Sequence, residues 1–303
     1  MQAVAVAAGG GSLAVVSTAS VADVVRVLEH RYPPATAEDW DAVGLVAGDP
    51  AAPVRRVLFA VDPVSAVLDE AVEWGADLVV THHPLLLRGI HSVAATTFKG
   101  ALLHRLIRSG IALYAAHTNA DAAVGGVADA LAAAVGLVDT VPLVAGDDAA
   151  TGIGRVGTLA TPTTLRAFAQ GVADAVPRTA QGVRFAGDPD GRVERVAVVG
   201  GSGDSLFDAV RAAGVDAYVT ADLRHHPASE LRERAEFEAD GGTATPYLVD
   251  LAHFASEWPW LAYAARDLEA DLAARGTTVE TRVSTLRTDP WTGRLTAQPE
   301  GPS

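Results

Sequence analysis

Six of the nine histidines in this chain fall just after short apolar runs of strand length, each group close to a carboxylate or to another histidine. His82-His83 follows Leu78–Thr81, and His117 and Asp121 follow Ile111–Ala116. Asp222 and His225-His226 follow Ala217–Thr220, and His253 and Glu257 follow Tyr247–Leu251. In open α/β sheets, ligands collect outside the carboxyl ends of the strands. Imidazole and carboxylate are the usual ligands of divalent Zn, Mn, Fe or Ni. Neighbouring histidines after a strand point to different sides, so His82 and His83 can serve two ions, and the two oxygens of Glu257 can bridge them. Two such ions ~3.5–4 Å apart activate water and stabilise negative charge developing on oxygen. The candidate ligands are therefore His82, His83, Asp121, His253 and Glu257. A single histidine after a strand is more often a satisfied polar residue, and His91 and His104 are left as surface or structural groups. The case for a metal site is the convergence of four clusters on one sheet edge.

The elements that must carry these groups alternate between helix and short strand. Helical spacing runs over Val21–Arg31, with Ser20 as cap, and an amphipathic helix over Pro63–Trp74 ends at Gly75. A helix over Gly100–Ser109 ends at Gly110, and strands are expected at Val57–Val61, Leu78–Thr81 and Ile111–Ala116. This pattern predicts a largely parallel sheet covered by helices. The second half repeats the first. Residues 57–81 laid over 196–220 without a gap give six identities: Val57/Val196, Asp69/Asp208, Gly75/Gly214, Asp77/Asp216, Val80/Val219 and Thr81/Thr220. The expected fold is α/β, with two similar lobes whose largely parallel sheets flank a shared cleft. His82-His83 and Ala221-Asp222 would then sit at equivalent strand ends. The expected organisation is a flexible extension over 1–18, a first lobe over 19–137 and a variable connection over 138–190. A second lobe over 191–288, with a last strand near Thr278–Leu286, and a polar tail over 289–303 complete it.

Composition removes several classes of function. With 303 residues, 49% of them hydrophobic, the chain is long enough for a sizeable core. Its net charge of -14 repels nucleic-acid backbone and anionic lipid, so neither is an expected partner. The absence of Cys rules out disulfides, zinc fingers, iron–sulfur clusters and a thiol nucleophile. The first basic residue is Arg26, so the apolar N-terminal stretch lacks the positive region of a secretory signal, and a cytoplasmic location is expected. Gly200-Gly201-Ser202-Gly203 is either a phosphate cradle or a tight structural turn. Trp258 and Trp260 are either core residues or a surface for stacking a base.

The combination of Trp40–Leu45 with Gly48-Asp49-Pro50, Gly75–Leu85, His117–Asp121 with Gly125-Gly126, Val198–Gly203, Asp216–His226 and His253–Glu257 resembles one family. It is that of the NGG-interacting-factor-three-like proteins, also called GTP cyclohydrolase 1 type 2 homologs. The resemblance spans about residues 21–287. It implies two similar α/β lobes around a dinuclear metal site and assembly as a toroidal homohexamer. It implies two divalent ions per chain, one on His83, Asp121 and Glu257 and the other on His82, His253 and the bridging Glu257. It places His225, His226 and Asp222 along the cleft as proton-transfer or supporting groups. The candidate reaction is hydrolytic opening of the guanine ring of GTP, and a nucleotide is the implied substrate. A metal-dependent phosphoesterase, or a metal-binding regulatory scaffold without turnover, are the alternatives. Two departures stand out: Ala120 replaces an aliphatic Leu, and the family's Thr-Gly-Asp reads Thr220-Ala221-Asp222, which puts the conformation of that loop in question. Longer relatives carry an inserted domain for which 138–190 is too short.

Overall fold

The computed structural model describes residues 18–295; most of the expected N-terminal extension and the end of the polar tail lie outside the described residues. A ribbon of Ala19–Ser20 and Pro53–Val54 leads into the helix Val21–Arg31. Ser20 and Asp23 cap that helix reciprocally, so each satisfies a backbone N–H that the first turn would otherwise leave unpaired.

The first lobe is a five-stranded sheet in the order Glu280–Val283, Arg56–Ala60, Leu78–Thr81, Ala112–Ala115, Gly44–Ala47. All of its strands are parallel except Gly44–Ala47, which lies antiparallel to Ala112–Ala115 at the edge. The second lobe is a six-stranded sheet in the order Leu137–Ala145, Gly152–Thr164, Arg192–Ser202, Ala217–Ala221, Tyr247–Leu251, Arg184–Ala186. Its parallel core is Arg192–Ser202, Ala217–Ala221 and Tyr247–Leu251, with antiparallel strands on both sides. The expected α/β fold of two similar lobes is thus observed.

The internal repeat holds at the level of register. Val57 pairs with Leu78 and Val196 with Ala217, the positions the gapless overlay matches. Asp77 accepts hydrogen bonds from the backbone N–H groups of Arg55 and Arg56, and Asp216 accepts them from Glu194 and Arg195, the matched residues of the other lobe. Gly75 and Gly214 end the preceding helices with φ of +74° and +60°. A carboxylate that ties a helix-to-strand turn to the neighbouring strand accounts for the identity at 77/216. Replacing either Asp with Ala is expected to cost about 1 kcal/mol, because the freed N–H groups are reached by water. Denaturant titration of both single variants tests this, and equal costs are expected from equal roles.

Two expectations about organisation need correction. Residues 138–190 are no mere connection: they supply Leu137–Ala145, Gly152–Thr164, the helix Leu165–Ala175 and Arg184–Ala186, which complete the second sheet. The last strand, expected with the second lobe, crosses back and pairs parallel to Arg56–Ala60 in the first.

Strand residues alternate between faces. Val57, Phe59, Val80 and Tyr114 of one sheet and Val196, Val198, Val219 and Val249 of the other enter one apolar cluster. The helices Val21–Arg31, Val127–Ala134 and Pro259–Ala274 fill the space between the sheets and contribute to the same cluster. The outer faces bury Leu58, Val79 and Leu113 under the helices Ser65–Trp74 and Phe98–Ser109, and Ala197, Tyr218 and Leu248 under Phe207–Ala212 and His225–Ala239. Burial on both faces is why these strands read as continuous apolar runs. Helix Pro259–Ala274 carries Trp260, wholly buried, with its indole N–H donated to the Tyr32 hydroxyl at 3.1 Å. Trp260 is therefore core, and its ring packs edge-on against His82, fixing the first candidate ligand.

Candidate metal centre

The strand Leu78–Thr81 continues its ladder by two hydrogen bonds, from the N–H of His82 to Ala60 and of His83 to Val61. This fixes both backbones as their side chains part. His82 is fully buried, and His83 keeps 23% side-chain exposure. Asp121 and His117 come from the short helix after Ala112–Ala115 and its cap. His253 and Glu257 lie four residues apart on the helix His253–Glu257 of the other lobe, hence on one face. The five expected ligands meet. His82 Nε2 is 3.7 Å from Asp121 Oδ1 and 3.4 Å from Glu257 Oε1. His83 Nε2 is 3.2 Å from Glu257 Oε2, and His253 Nε2 is 2.8 Å from Glu257 Oε1.

His117 is a sixth member that the ligand reading did not include. Its ligand atom lies within 4.8 Å of those of His82 and His83, and a second such group joins His83, His253 and Glu257. His83 belongs to both groups, with His82 and His117 in one and with His253 and Glu257 in the other, and His82 also lies 3.7 Å from Asp121.

All four imidazoles are anchored through Nδ1. His82 engages the Ala116 carbonyl at 2.9 Å, His83 engages Asp62 at 2.7 Å, His117 engages Asp41 at 2.8 Å and His253 engages Asp222 at 2.7 Å. With Nδ1–H donated outward, each imidazole in its neutral form would present the Nε2 lone pair to the centre, the arrangement by which outer partners fix metal-ligating histidines. Asp41 also accepts from the Thr118 backbone and hydroxyl, and Asn119 donates to the Tyr32 carbonyl, which accounts for the sequence His117-Thr118-Asn119. Arg155, buried against Asp129, donates to the Ala123 carbonyl and so holds the loop that follows Asp121. Neither this pair nor Asp62 carried a sequence signal beyond residue type.

Among the described residues, five buried side-chain polar atoms lack a hydrogen-bond partner, and three belong to the expected ligands: His82 Nε2, Asp121 Oδ1 and Glu257 Oε2. Buried polar atoms are rarely left unpaired, because stripping them of water costs free energy that nothing repays. His82 Nε2 lies 3.7 Å from Asp121 Oδ1 and 3.4 Å from the Glu257 carboxylate, and three such atoms in one cluster fit a cation. The charges agree. Burial works against ionising Glu257, yet the imidazoles of His83, His82 and His253 hold its carboxyl well below the usual range. Burial also disfavours charge on His253, but Glu257 and the hydrogen bond to Asp222 push it up to about 10, and His83 is raised well above its usual value by Glu257 and Asp62. Burial raises Asp121 to about 6.

In the metal-free protein, protons on His83 and His253 thus balance Glu257 across the neutral range. A metal must expel them to reach Nε2. The expected outcome is that metal binding releases protons and that affinity falls as pH is lowered from about 10 through neutrality, because His253 is raised that far. Calorimetric titration in buffers of different ionisation enthalpy measures the release. A heat independent of buffer would refute it.

Asp222 belongs to the centre through His253, at a left-handed φ of +55°. Ala221, where the family carries Gly, is an ordinary strand residue with no positive φ, so the departure costs nothing here. His225 and His226 begin the helix His225–Ala239, exposed and packed edge-on against each other, and make no hydrogen bond or ion pair with the cluster among the described residues. The Gly200–Gly203 turn is structural: the Gly201 N–H is taken by Ser256 Oγ at 2.8 Å and its carbonyl by the Thr220 hydroxyl at 3.0 Å. Asp289, expected in a frayed tail, is buried, and Thr288 beside it donates to Asp62 behind His83.

Fold and cluster together define a two-lobed α/β protein with a histidine–carboxylate centre suited to a divalent cation. The model of the Duf34/NIF3 (NGG1p interacting factor 3) family matches residues 19–290, and the chain belongs to that family. A protein of Streptomyces coelicolor named "GTP cyclohydrolase 1 type 2 homolog" is 51% identical over 282 residues, covering 92% of this chain and 96% of its own. A hypothetical protein of Staphylococcus aureus superposes with a TM-score of 0.81 at 27% identity, over 91% of this chain and 99% of its own. A Bacillus cereus protein related to NIF3 superposes with a TM-score of 0.80 at 24% identity, over 91% and 99%, and shows the shared fold. No helix among the described residues is long and apolar enough to cross a membrane.

Proposed function

We propose that the protein is a dinuclear metal-dependent hydrolase acting on a nucleotide, with hydrolytic opening of the guanine ring of GTP as the candidate reaction. The observation that carries the reading is the convergence of three buried, unpartnered ligand atoms with four imidazoles whose Nε2 atoms all face them. His82, His117 and Asp121 would hold one ion and His83 and His253 the other, with Glu257 between them. The ions would supply Lewis-acid activation of water and of the substrate's electrophilic centre. The chain's own residues do the rest. Asp41, Asp62 and Asp222 orient the imidazoles, Trp260 and the core exclude water behind His82, and the partly exposed faces of His83 and Asp121 leave room for a substrate. Asp222, paired with His253 and partly open to water, is the residue of the second lobe placed to accept or return a proton. His225 and His226, exposed at the start of the helix His225–Ala239, are given no part in the reaction.

The experiment is elemental analysis of untagged protein followed by assay of GTP with and without a chelator. About two ions per chain, and turnover lost on chelation, are expected. A protein that takes up no Zn, Mn, Fe or Ni would end the metal reading, and metal without turnover on GTP or phosphoesters would leave the scaffold alternative. The proposal extends to a cytoplasmic homohexamer. Phe98, Ile107 and Val93 are 72%, 68% and 53% exposed, apolar side chains that an interface between copies would cover. Light scattering of the purified protein tests the assembly, and a monomeric mass would refute it.

A further inference from the structure

A cleft of about 310 Å³ opens beside Asp121, and the exposed ring of Trp40 is part of its wall. Trp40 is 58% exposed, an unusual position for so large an apolar ring. It does not dangle. Asp41 next to it is held by its bonds to Thr118 and His117, Glu38 donates its backbone N–H to the Thr118 hydroxyl, and the Asp41 N–H returns to the Glu38 carbonyl. The indole stands edge-on to His117, ring centres 5.9 Å apart and planes at 80°, so its position is tied to a member of the metal cluster. A rigid, exposed aromatic at the mouth of a cleft whose floor reaches a candidate ligand is a preorganised stacking surface.

The rest of the lining says what kind of ring. Glu38 and Asp121 are its charged groups, Thr118, Ser202 and Ser205 its hydroxyls, and among the described residues that line it there is no Lys, Arg or His. A phosphate would meet two carboxylates and no cationic side chain there. A flat ring with N–H donors along one edge would meet Glu38, whose carboxylate makes no hydrogen bond or ion pair among the described residues, and two oxygens of a carboxylate match two adjacent N–H groups.

We infer that Trp40 and Glu38 form a base-recognition subsite, in which Trp40 stacks on a planar heterocycle and Glu38 accepts from its amino and ring N–H groups, as a guanine edge offers. Any phosphates of such a ligand lie outside this cleft. The inference deepens the hydrolase reading and rests on it in taking the metal centre as the reacting end.

The test uses guanosine and inosine, which differ by the amino group, titrated calorimetrically into the full-length protein as purified, with metal content measured alongside. Trp40→Ala is expected to weaken guanosine at least about 10-fold, the range of a lost base–aromatic stack, and Trp40→Phe much less. Glu38→Gln is expected to erase the preference for guanosine over inosine. Metal content and melting temperature should not change in any of the three, since both side chains are exposed. Unaltered guanosine binding in Trp40→Ala, no preference between the two nucleosides in the wild type, or no nucleoside binding by metal-loaded protein would each overturn the subsite. So would loss of metal in Trp40→Ala, which would make the indole a support for His117. A protein free of metal that still binds guanosine through Trp40 would refute the hydrolase reading and uphold the subsite.

Discussion

Glu257→Gln is expected to empty the centre while leaving the fold intact. The side chain is 3% exposed and lies 3.4, 3.2 and 2.8 Å from the Nε2 atoms of His82, His83 and His253, so it touches both halves of the cluster. Gln keeps the shape and removes the charge, and its amide N–H groups would face imidazole nitrogens that must act as acceptors toward a metal. Loss of outer partners alone lowers metal affinity about 10–100-fold, so removal of the shared carboxylate should exceed about 100-fold. The metal-free fold behaves otherwise. Without Glu257 the strongest charge favouring protons on the buried imidazoles is gone and Asp62, Asp121 and Asp222 remain beside them, so less charge is held in the cluster and less desolvation has to be offset. Metal content below about one ion per chain, with a melting temperature in chelator near that of the wild type, is the expected pair of results. A variant that still carries a full complement of metal would show that Glu257 is not a shared ligand.

The parts of this arrangement that were legible in the sequence share a physical cause. Strands buried on both faces, such as Leu78–Thr81 and Tyr247–Leu251, read as short apolar runs, and the polar residues that interrupt them mark the strand ends where the centre forms. The overlay of residues 57–81 on 196–220 was readable because Asp77 and Asp216 each have a hydrogen-bonding task that tolerates no shift of register. What escaped has causes as definite. Leu137–Ala145 is an edge strand with most residues exposed, so it lacks an apolar alternation, and Gly152–Thr164 carries glycines because neighbouring strands press on it. A Cβ at Gly157 would stand 2.9 Å from the Val138 carbonyl. Glycine chosen for close approach looks, in sequence, like glycine chosen for a loop. His117 stands at its strand end, but nothing local in the sequence shows that its Nδ1 is committed to Asp41, far away in sequence.

The repeat also explains the asymmetry of the centre. The first lobe ends its middle strand in His82-His83, two candidate ligands, whereas the second ends it in Ala221-Asp222, where the carboxylate turns back through a left-handed residue to orient His253. Non-glycine residues in that conformation tend to be kept at functional sites, where the surrounding structure over-determines them. One lobe therefore supplies ligands directly, and the other brings His253 and Glu257 on a helix and aligns them from behind. The centre closes only when the two sheets are fixed relative to each other by the shared core of Trp260, Tyr32 and their neighbours.

That dependence is sharpest at Gly201, and Gly201→Ala is the second substitution expected to have a large effect. Gly201 has φ of +69°, and a Cβ there would lie 2.8 Å from Glu257 Oε1 and 3.2 Å from His253 Nε2. The turn cannot slide away, because its N–H is held by Ser256 and its carbonyl by Thr220. A methyl group must therefore displace the ligands, since the far end of a side chain yields before a backbone held at both atoms. The left-handed conformation costs an L residue about 1–2 kcal/mol by itself. Gly214→Ala isolates that cost: its φ is +60°, and a Cβ there meets nothing within 4 Å. Both variants should lose similar stability in chelator by denaturant titration, about 1–2 kcal/mol. Only Gly201→Ala should lose metal affinity, by about 10–100-fold, as expected when ligands are moved rather than removed. Equal metal affinity in the two variants would mean that Glu257 and His253 move freely enough to accept the methyl group, and a centre that soft could not hold two ions in fixed register with a substrate.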